Sequence, residues 1–403
     1  MHYSARCILT ALPLFVACGD SSRQSAAVVV DTLPGGIPRT MSSAPIEAGR
    51  WALELARVIQ PDEESPGELM NPQSVAIAED GSLLVAETRP AVIKVYGPDG
   101  AYLRSIGREG AGPGEFRVAF IAVRGDTLVV QDPMNSRATR FDWRDGRLLG
   151  STITPCCYWA PIDVDAGGRA WLRLMAPLPD SSRTYGQGFV RLALADGASD
   201  TVFAYERAGL PRSPSWMLRV GGQVRMSMPV PMTPQAYFVV EPRGGLLTAW
   251  SGEYSILVSR EGRDSASVFG RQWTGIPLSA AEKDRLYAAA VEGVTRNNPQ
   301  WDAVSVAASF ERALIPGVRP AFEYIHADDA GRRWVRLSHP DSTRARYDVF
   351  DADGRWLDEV SVPAEQWLAN VWSPADFGAH EVAIAAEGED GRPLVRVFSI
   401  RRR

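Results

Sequence analysis

From Trp51 to the end of the chain, short apolar runs alternate with turns built on Gly, Asp and Asn. The clearest example lies between Gly107 and Asp142. A Gly-Pro-Gly loop leads into an apolar run at 120–123, Gly125-Asp126 turns the chain into 128–130, and Asn135-Ser136 turns it into 140–142. Asp-Gly and Gly-Asp between apolar runs mark hairpins, because these residues tolerate the positive φ that tight turns require. Read this way, the chain contains six four-stranded units. The first has strands at 71–77, 83–87, 91–96 and 102–106, and the second at 120–123, 128–130, 140–142 and 148–153. The third has 162–164, 170–174, 189–194 and 201–205, and the fourth 237–240, 246–250, 254–259 and 265–269. The fifth has 322–327, 333–337, 346–350 and 356–360. The sixth has 367–372, 381–386 and 394–400, with 57–60 as its closing strand.

Turns this short leave no room for helical crossovers, which disfavours a parallel α/β fold. Gly81 and Gly125 stand 44 residues apart, within the blade period of roughly 40 to 50 residues. One such sheet has two apolar faces and cannot bury both alone. Six packed radially bury every face and leave only short edges. The expected fold is all-β: a six-bladed β-propeller of four-stranded antiparallel blades over 51–403. The strand near Arg57 closes the ring beside Phe398.

One segment breaks the period. Ser279-Ala-Ala-Glu282 is a capping box, followed by Leu286, Ala289, Ala290 and Val294 at helical spacing and stopped by Asn297-Asn298-Pro299. Residues 301–314 predict a second helix with Val304, Ala308 and Ala313 on its apolar side. This insertion, 278–316, falls between blades 4 and 5, where it would act as a lid or partner surface over the channel, or as a brace on a blade edge.

The succession of Gly-Pro-Gly-Glu-Phe, an apolar strand, Asp-Gly, Leu-Leu-Val, an acid and a basic-apolar strand resembles the NHL repeat, best over 60–145. The whole is similar to the six-bladed propeller lipoproteins of bacteria. That resemblance implies the fold and leaves the function open, since such proteins include binders, scaffolds, lactonases and lyases.

Composition sharpens the cellular address. Residues 1–17 carry Arg6 and an apolar stretch from Cys7 to Ala17, the form of a secretory signal. The ending Leu14-Phe15-Val16-Ala17-Cys18 resembles a lipobox with Phe15 at its usual leucine position, which would make Cys18 the lipidated first residue. An ordinary cleaved signal is the competing reading. Gly19, rather than an aspartate, follows Cys18, and the resemblance then implies the outer membrane of the bacterial cell envelope. Residues 18–50, rich in Ser, Ala, Pro and Gly, predict a flexible tether, with an edge strand at 27–31 as the alternative. The whole chain has 43 basic and 48 acidic residues; without Arg6 the balance is 42 − 48 = −6. That acidity argues against a nucleic-acid partner.

The candidate chemistry is sparse. Cys156-Cys157 would be the remaining thiols of a lipidated chain, so an exported protein could bridge them. Adjacent Cα atoms lie about 3.8 Å apart, closer than an ordinary disulfide prefers, so such a bridge would be strained. Two small buried residues at a strand start are the alternative. Asp163, Asp165, Glu241 and Asp328 near inner strands could ring a calcium ion. His326, His339 and His380 lack zinc spacing. The metal candidates are therefore Asp163, Glu241, His326 and His380, serving calcium or zinc in a lactonase or lyase. No cofactor is expected otherwise. The leading expectation is a monomeric binding propeller for a protein, peptide or glycan, held at a membrane by its N-terminal lipid. Gly110 to Gly114 lacks the lysine and hydroxyl of a phosphate loop and serves as a blade connection. Among the aromatics, Tyr158, Trp159, Trp216, Trp250, Trp301 and Trp372 are expected mostly in the core, with one or two at the channel mouth.

Overall fold

A computed structural model describes residues 27–154, 161–177, 185–204, 213–220, 222–260, 265–367 and 374–403. Six antiparallel four-stranded sheets follow one another around a ring. Blade 1 is Pro72–Ile77, Leu83–Thr88, Ala91–Tyr96 and Tyr102–Ile106. Blade 2 is Phe120–Arg124, Thr127–Asp132, Arg137–Asp142 and Leu148–Ile153. Blade 3 is Asp163–Val164, Arg169–Pro177, Tyr185–Ala193 and Ser199–Phe203. Blade 4 is Ala236–Val240, Leu246–Trp250, Ser255–Ser259 and Ser265–Arg271. Blade 5 is Phe322–Ala327, Arg333–Leu337, Arg344–Phe350 and Trp356–Pro363. Blade 6 is Ala375–Phe377, Glu381–Glu387, Pro393–Arg402 and, returning from the N-terminal side, Trp51–Ile59.

The ring closes through that last pairing, in which Leu55 faces Phe398 and Ile59 faces Val395. Apolar residues on both faces of each blade meet those of its neighbours. Between blades 1 and 2, Ala76, Leu84 and Ile93 pack with Ile121, Leu128, Val130 and Phe141. Burying each large aliphatic side chain contributes about 1.5–3 kcal/mol, so each interblade layer stabilises both of its sheets. The sixth inner strand is Ala375–Phe377 rather than 367–372. Trp367 is instead drawn into the layer between blades 5 and 6, where its indole donates to the Tyr347 hydroxyl at 2.8 Å; residues 368–373 lie outside those described.

Two blades share a clamp written twice in the sequence. In Asp165-Ala-Gly-Gly-Arg-Ala-Trp171 the buried Asp165 carboxylate accepts from the Trp171 indole at 2.8 Å and from Arg169 Nε at 2.9 Å. In Asp328-Asp-Ala-Gly-Arg-Arg-Trp334 the buried Asp328 accepts from the Trp334 indole at 2.8 Å and Arg332 Nε at 2.5 Å. Each carboxylate thus ties the first turn of its blade to the second strand.

Residues 27–50, expected within a tether, are largely structured. Val28–Leu33 and Ile37–Ser42 form an antiparallel hairpin, and the second of these strands pairs parallel with the outer strand of blade 4. The chain then crosses to blade 5, where Ile46 N and Glu47 N donate to the Trp356 and Leu357 carbonyls. Asp358 accepts from Gly49 N at 3.0 Å and Trp51 N at 2.9 Å. The free edge of an outer strand supplies the unpaired amides that draw this segment out of solvent.

The insertion between blades 4 and 5 holds α1, Ala280–Asn297, and α2, Ala303–Ser309. The α1 capping box is present in both directions. The second helix is shorter than expected because Phe310 leaves it to stack on Trp216, with centroids 4.6 Å apart and planes at 10°. Its buried residue is Val306, while Val304 is 79% exposed. An unexpected partner accounts for this change of face: the hairpin Ser215–Val220 and Gln223–Pro229, from the connection between blades 3 and 4. Hairpin and helices share a core of Trp216, Leu218, Val230, Val294, Val306 and Phe310. Together they form a cap.

Candidate functional site

Four-stranded meanders place the first and third turns of every blade on one side of the ring, the turn face. The second turns and the blade-to-blade connections lie on the other side, the connection face. The cap therefore stands on the connection face, beside blades 4 and 5.

The inner strands can be aligned by their first turns. Ala78, Asp165, Glu241 and Asp328 each open the turn by donating to the carbonyl four residues on, and Gly378 opens a turn one residue shorter. Two residues earlier stand Ala76, Asp163, Val239, His326 and Asp376, with Ala122 the matching residue of blade 2. This level of the channel wall thus carries acids on blades 3 and 6, which are opposite each other in a ring of six. Asp376 accepts from Ile77 N at 2.7 Å. Loss of solvent pushes its carboxyl up to about 7, and the nearby Asp329 and Asp163 carboxylates add to the rise. Desolvation also raises Asp163, against the pull of Arg173.

Toward the turn face, Arg124 of blade 2 reaches Asp329 of blade 5 at 3.3 Å. These blades are also opposite, so the ion pair spans the axis. Arg124 also donates to the Val164 carbonyl at 3.1 Å. Desolvation raises the Asp329 carboxyl; Arg124 lowers it and Glu79 raises it further.

Toward the connection face the wall changes character. Tyr237 and Tyr324 occupy equivalent positions two residues before the acid level on blades 4 and 5. The pairing of the inner strand of blade 5 slips at Glu323, and a bulge of this kind re-aims a side chain. Glu323 pairs with Arg336 at 3.3 Å. Desolvation raises its carboxyl, and Arg336 opposes that rise. His326 stacks on Phe377 at 4.2 Å, and its Nε2 is buried without a hydrogen-bond partner. Burial, then the Arg336 charge, drives its pKa down to about 4, so the ring is neutral at pH 7.

The residues singled out in the sequence are spread through this frame. Asp163 and His326 share one level of the channel wall but face different interblade layers. Glu241 is engaged by Arg333 at 2.7 Å. His380 is exposed in the first turn of blade 6. His339 accepts from Asp341 N at 3.0 Å. Asp165 and Asp328 belong to the Trp–Arg clamps. Among the described residues, no three His, Cys, Asp or Glu side chains converge on a metal-sized space. Cys18, Cys156, Cys157, Tyr158, Trp159 and Trp372 lie outside the described residues. Trp216 and Trp301 pack in the cap. The channel residues missing from the sequence reading are Arg124, Tyr237, Glu323, Tyr324, Asp329, Arg336 and Asp376. A recurring position on the inner strand ahead of the first turn could have marked Arg124, Tyr237, Glu323, Tyr324 and Asp376; Asp329 sits in the turn itself and Arg336 on the second strand of blade 5.

No family model matches the chain, and no curated protein does. Solved structures do. A member of the DUF4221 family from Bacteroides vulgatus superposes with a TM-score of 0.52 at 12% identity, over 89% of this chain and 100% of that one. A protein of Bacteroides fragilis described as exported gives 0.45 at 10% identity, over 91% and 98%. At such identities the likeness is one of fold.

Proposed function

We propose that this chain is a non-catalytic binding or scaffold propeller of the bacterial cell envelope. It recognises a protein, peptide or glycan through the connection face. The observation that carries this reading is the cap: two successive blade connections are enlarged, on one face, into a single body with its own apolar core. Enlarged loops held on a rigid scaffold are where binding proteins place recognition. Lipid on Cys18 and the NHL-like character of the repeats belong to the same reading and rest on the sequence. Photo-crosslinking residues placed singly at Met217 and Val304 on the cap, and at Asp99 and Asp353 on the turn face, test it in cells. Crosslinks confined to the cap positions are expected. Crosslinks from the turn face alone, or equally from both faces, would sink it. Mass spectrometry of detergent-extracted protein checks the anchor, with a lipidated Cys18 as the expected N-terminus.

The second reading is a metal-dependent lactonase or lyase working in the channel. It rests on the facing acids Asp163 and Asp376, two of the three or more ligands such a site needs. Metal analysis after dialysis separates the two: one calcium or zinc per chain would favour the enzyme.

A further inference from the structure

The cap is joined to the ring in an uneven way. Its helices pack on one another, on the strand Ser215–Val220 and on the short turn Arg312–Leu314, so their chief neighbours are cap elements rather than blade strands. The helical half stands on two legs that pair with each other. Leu278 N donates to the Gly317 carbonyl at 2.9 Å, Arg319 N donates to the Ile276 carbonyl at 2.8 Å, and Pro277 faces Val318 between them. Each leg carries a glycine and a proline, in Gly275-Ile-Pro277 and in Pro316-Gly317. A Cβ on Gly275 would come within 2.8 Å of Val318 Cγ1, so this residue lets the legs touch. A Cβ on Gly317 would meet nothing within 4 Å. Space does not demand a glycine there.

One buried group holds the cap down. Arg319, at the foot of the second leg, is 8% exposed. Its Nη2 donates to the Glu282 carboxylate in the first turn of α1, and its Nη1 approaches Met232 Sδ at 3.8 Å. Met232 lies on the second leg of the hairpin half, and its sulfur also meets Ser338 Oγ of blade 5 at 3.9 Å. Arg319 therefore ties the two halves of the cap to each other at their foot, and Met232 carries the contact on to the ring at Ser338. Its charge also acts on Glu323, which pairs with Arg336 in the channel wall. Alternating charges thus run from the start of α1 to the channel mouth.

We propose that the cap is a hinged lid on the connection face, pivoting on the Gly275/Gly317 stalk and latched by Arg319 and Glu282. Hinges of this kind are a few loop residues that absorb the backbone change while the moving body keeps its packing. A ligand that engages Glu323 and Arg336 alters the field at Arg319 and so biases the latch. That coupling rests on reading the connection face as the binding face; the motion itself does not.

Glu282→Gln in the full chain tests the latch. Glutamine keeps the capping box, since Gln serves at that position, but removes the charge facing Arg319. Hydrogen exchange is read at Leu278 and Arg319 in the stalk, at α1, and at Leu83–Thr88 in blade 1. Stalk and α1 amides are expected to exchange on the order of tenfold faster while the blade 1 strand is unchanged, the behaviour of a separate opening unit. Unchanged stalk exchange would overturn the latch. Equal acceleration in blade 1 would overturn the separate lid, since cap and ring would then open as one. Either failure leaves the crosslinking test of the binding face standing.

Discussion

Asp328 and Asp376 are acids on neighbouring blades with opposite consequences. Asp328 is enclosed and holds two donors, the Trp334 indole and Arg332. Asp328→Ala strands both, and breaking a buried pair of this kind costs about 3 kcal/mol or more. Asp353, in an exposed turn, should cost under about 0.5 kcal/mol when changed to Ala. Denaturant midpoints of the two variants check the contrast. Asp376 has its carboxyl raised to about 7 in the folded chain. A raised acid favours the protonated, folded form. Its contribution is complete below the ordinary carboxylate range and is lost as pH rises through about 7. Wild-type melting temperature should therefore fall between pH 5 and 8 more than that of Asp376→Asn. At pH 8 the variant should melt higher by about 2–4 °C, corresponding to roughly 1 kcal/mol. A variant with the wild-type pH profile would refute this account. The clamps were not read from the sequence: Asp165 and Asp328 stood there as calcium candidates, although the Asp-x-x-Gly-Arg-x-Trp spacing that carries the clamp occurs twice. Of the facing channel acids Asp163 was marked and Asp376 was not, because nothing near Asp376 in sequence announces Asp163 across the axis.

Single elements divide in the same way. Strands bounded by Asp-Gly turns, such as Ala91–Tyr96 and Tyr102–Ile106, were legible to the residue, since turn chemistry fixes both ends. α1 was legible from its capping box. The hairpin Val28–Leu33 and Ile37–Ser42 was faint, because its stability comes from a blade 4 edge more than 200 residues away. The short inner strand Ala375–Phe377 was overshadowed by the tryptophans ahead of it, which a strand pattern claims as readily as a packing layer does. A chain beginning at Arg50 tests the hairpin. It keeps the closing strand but uncovers the outer edge of blade 4, and exposed edges invite pairing between chains. Light scattering should show concentration-dependent association and calorimetry a lower melting temperature. A monodisperse chain with an unchanged melt would assign the hairpin no structural part.

At the scale of the whole molecule, stability depends on closure. The blade period was visible in the sequence because each blade repeats the same local turns. The contents of the axis were invisible because the ring brings together residues from blades half a circuit apart, as with Arg124 and Asp329. Beginning the chain at Pro61 removes Trp51–Ile59 and leaves blade 6 with three strands and an open edge along Pro393–Arg402. Such a chain should lose the single cooperative unfolding transition that the chain beginning at Arg50 retains.

The N-terminal hairpin also decides where tension enters the wheel. Any force drawn through the chain ahead of Ala27 reaches the rim of blade 4 first, then the carbonyls of blade 5, and only afterwards the seam at Trp51. The seam is thus spared any such tug. Because the chain enters at the rim, a pull on it would tend to turn the disc edge-on, leaving both broad sides uncovered.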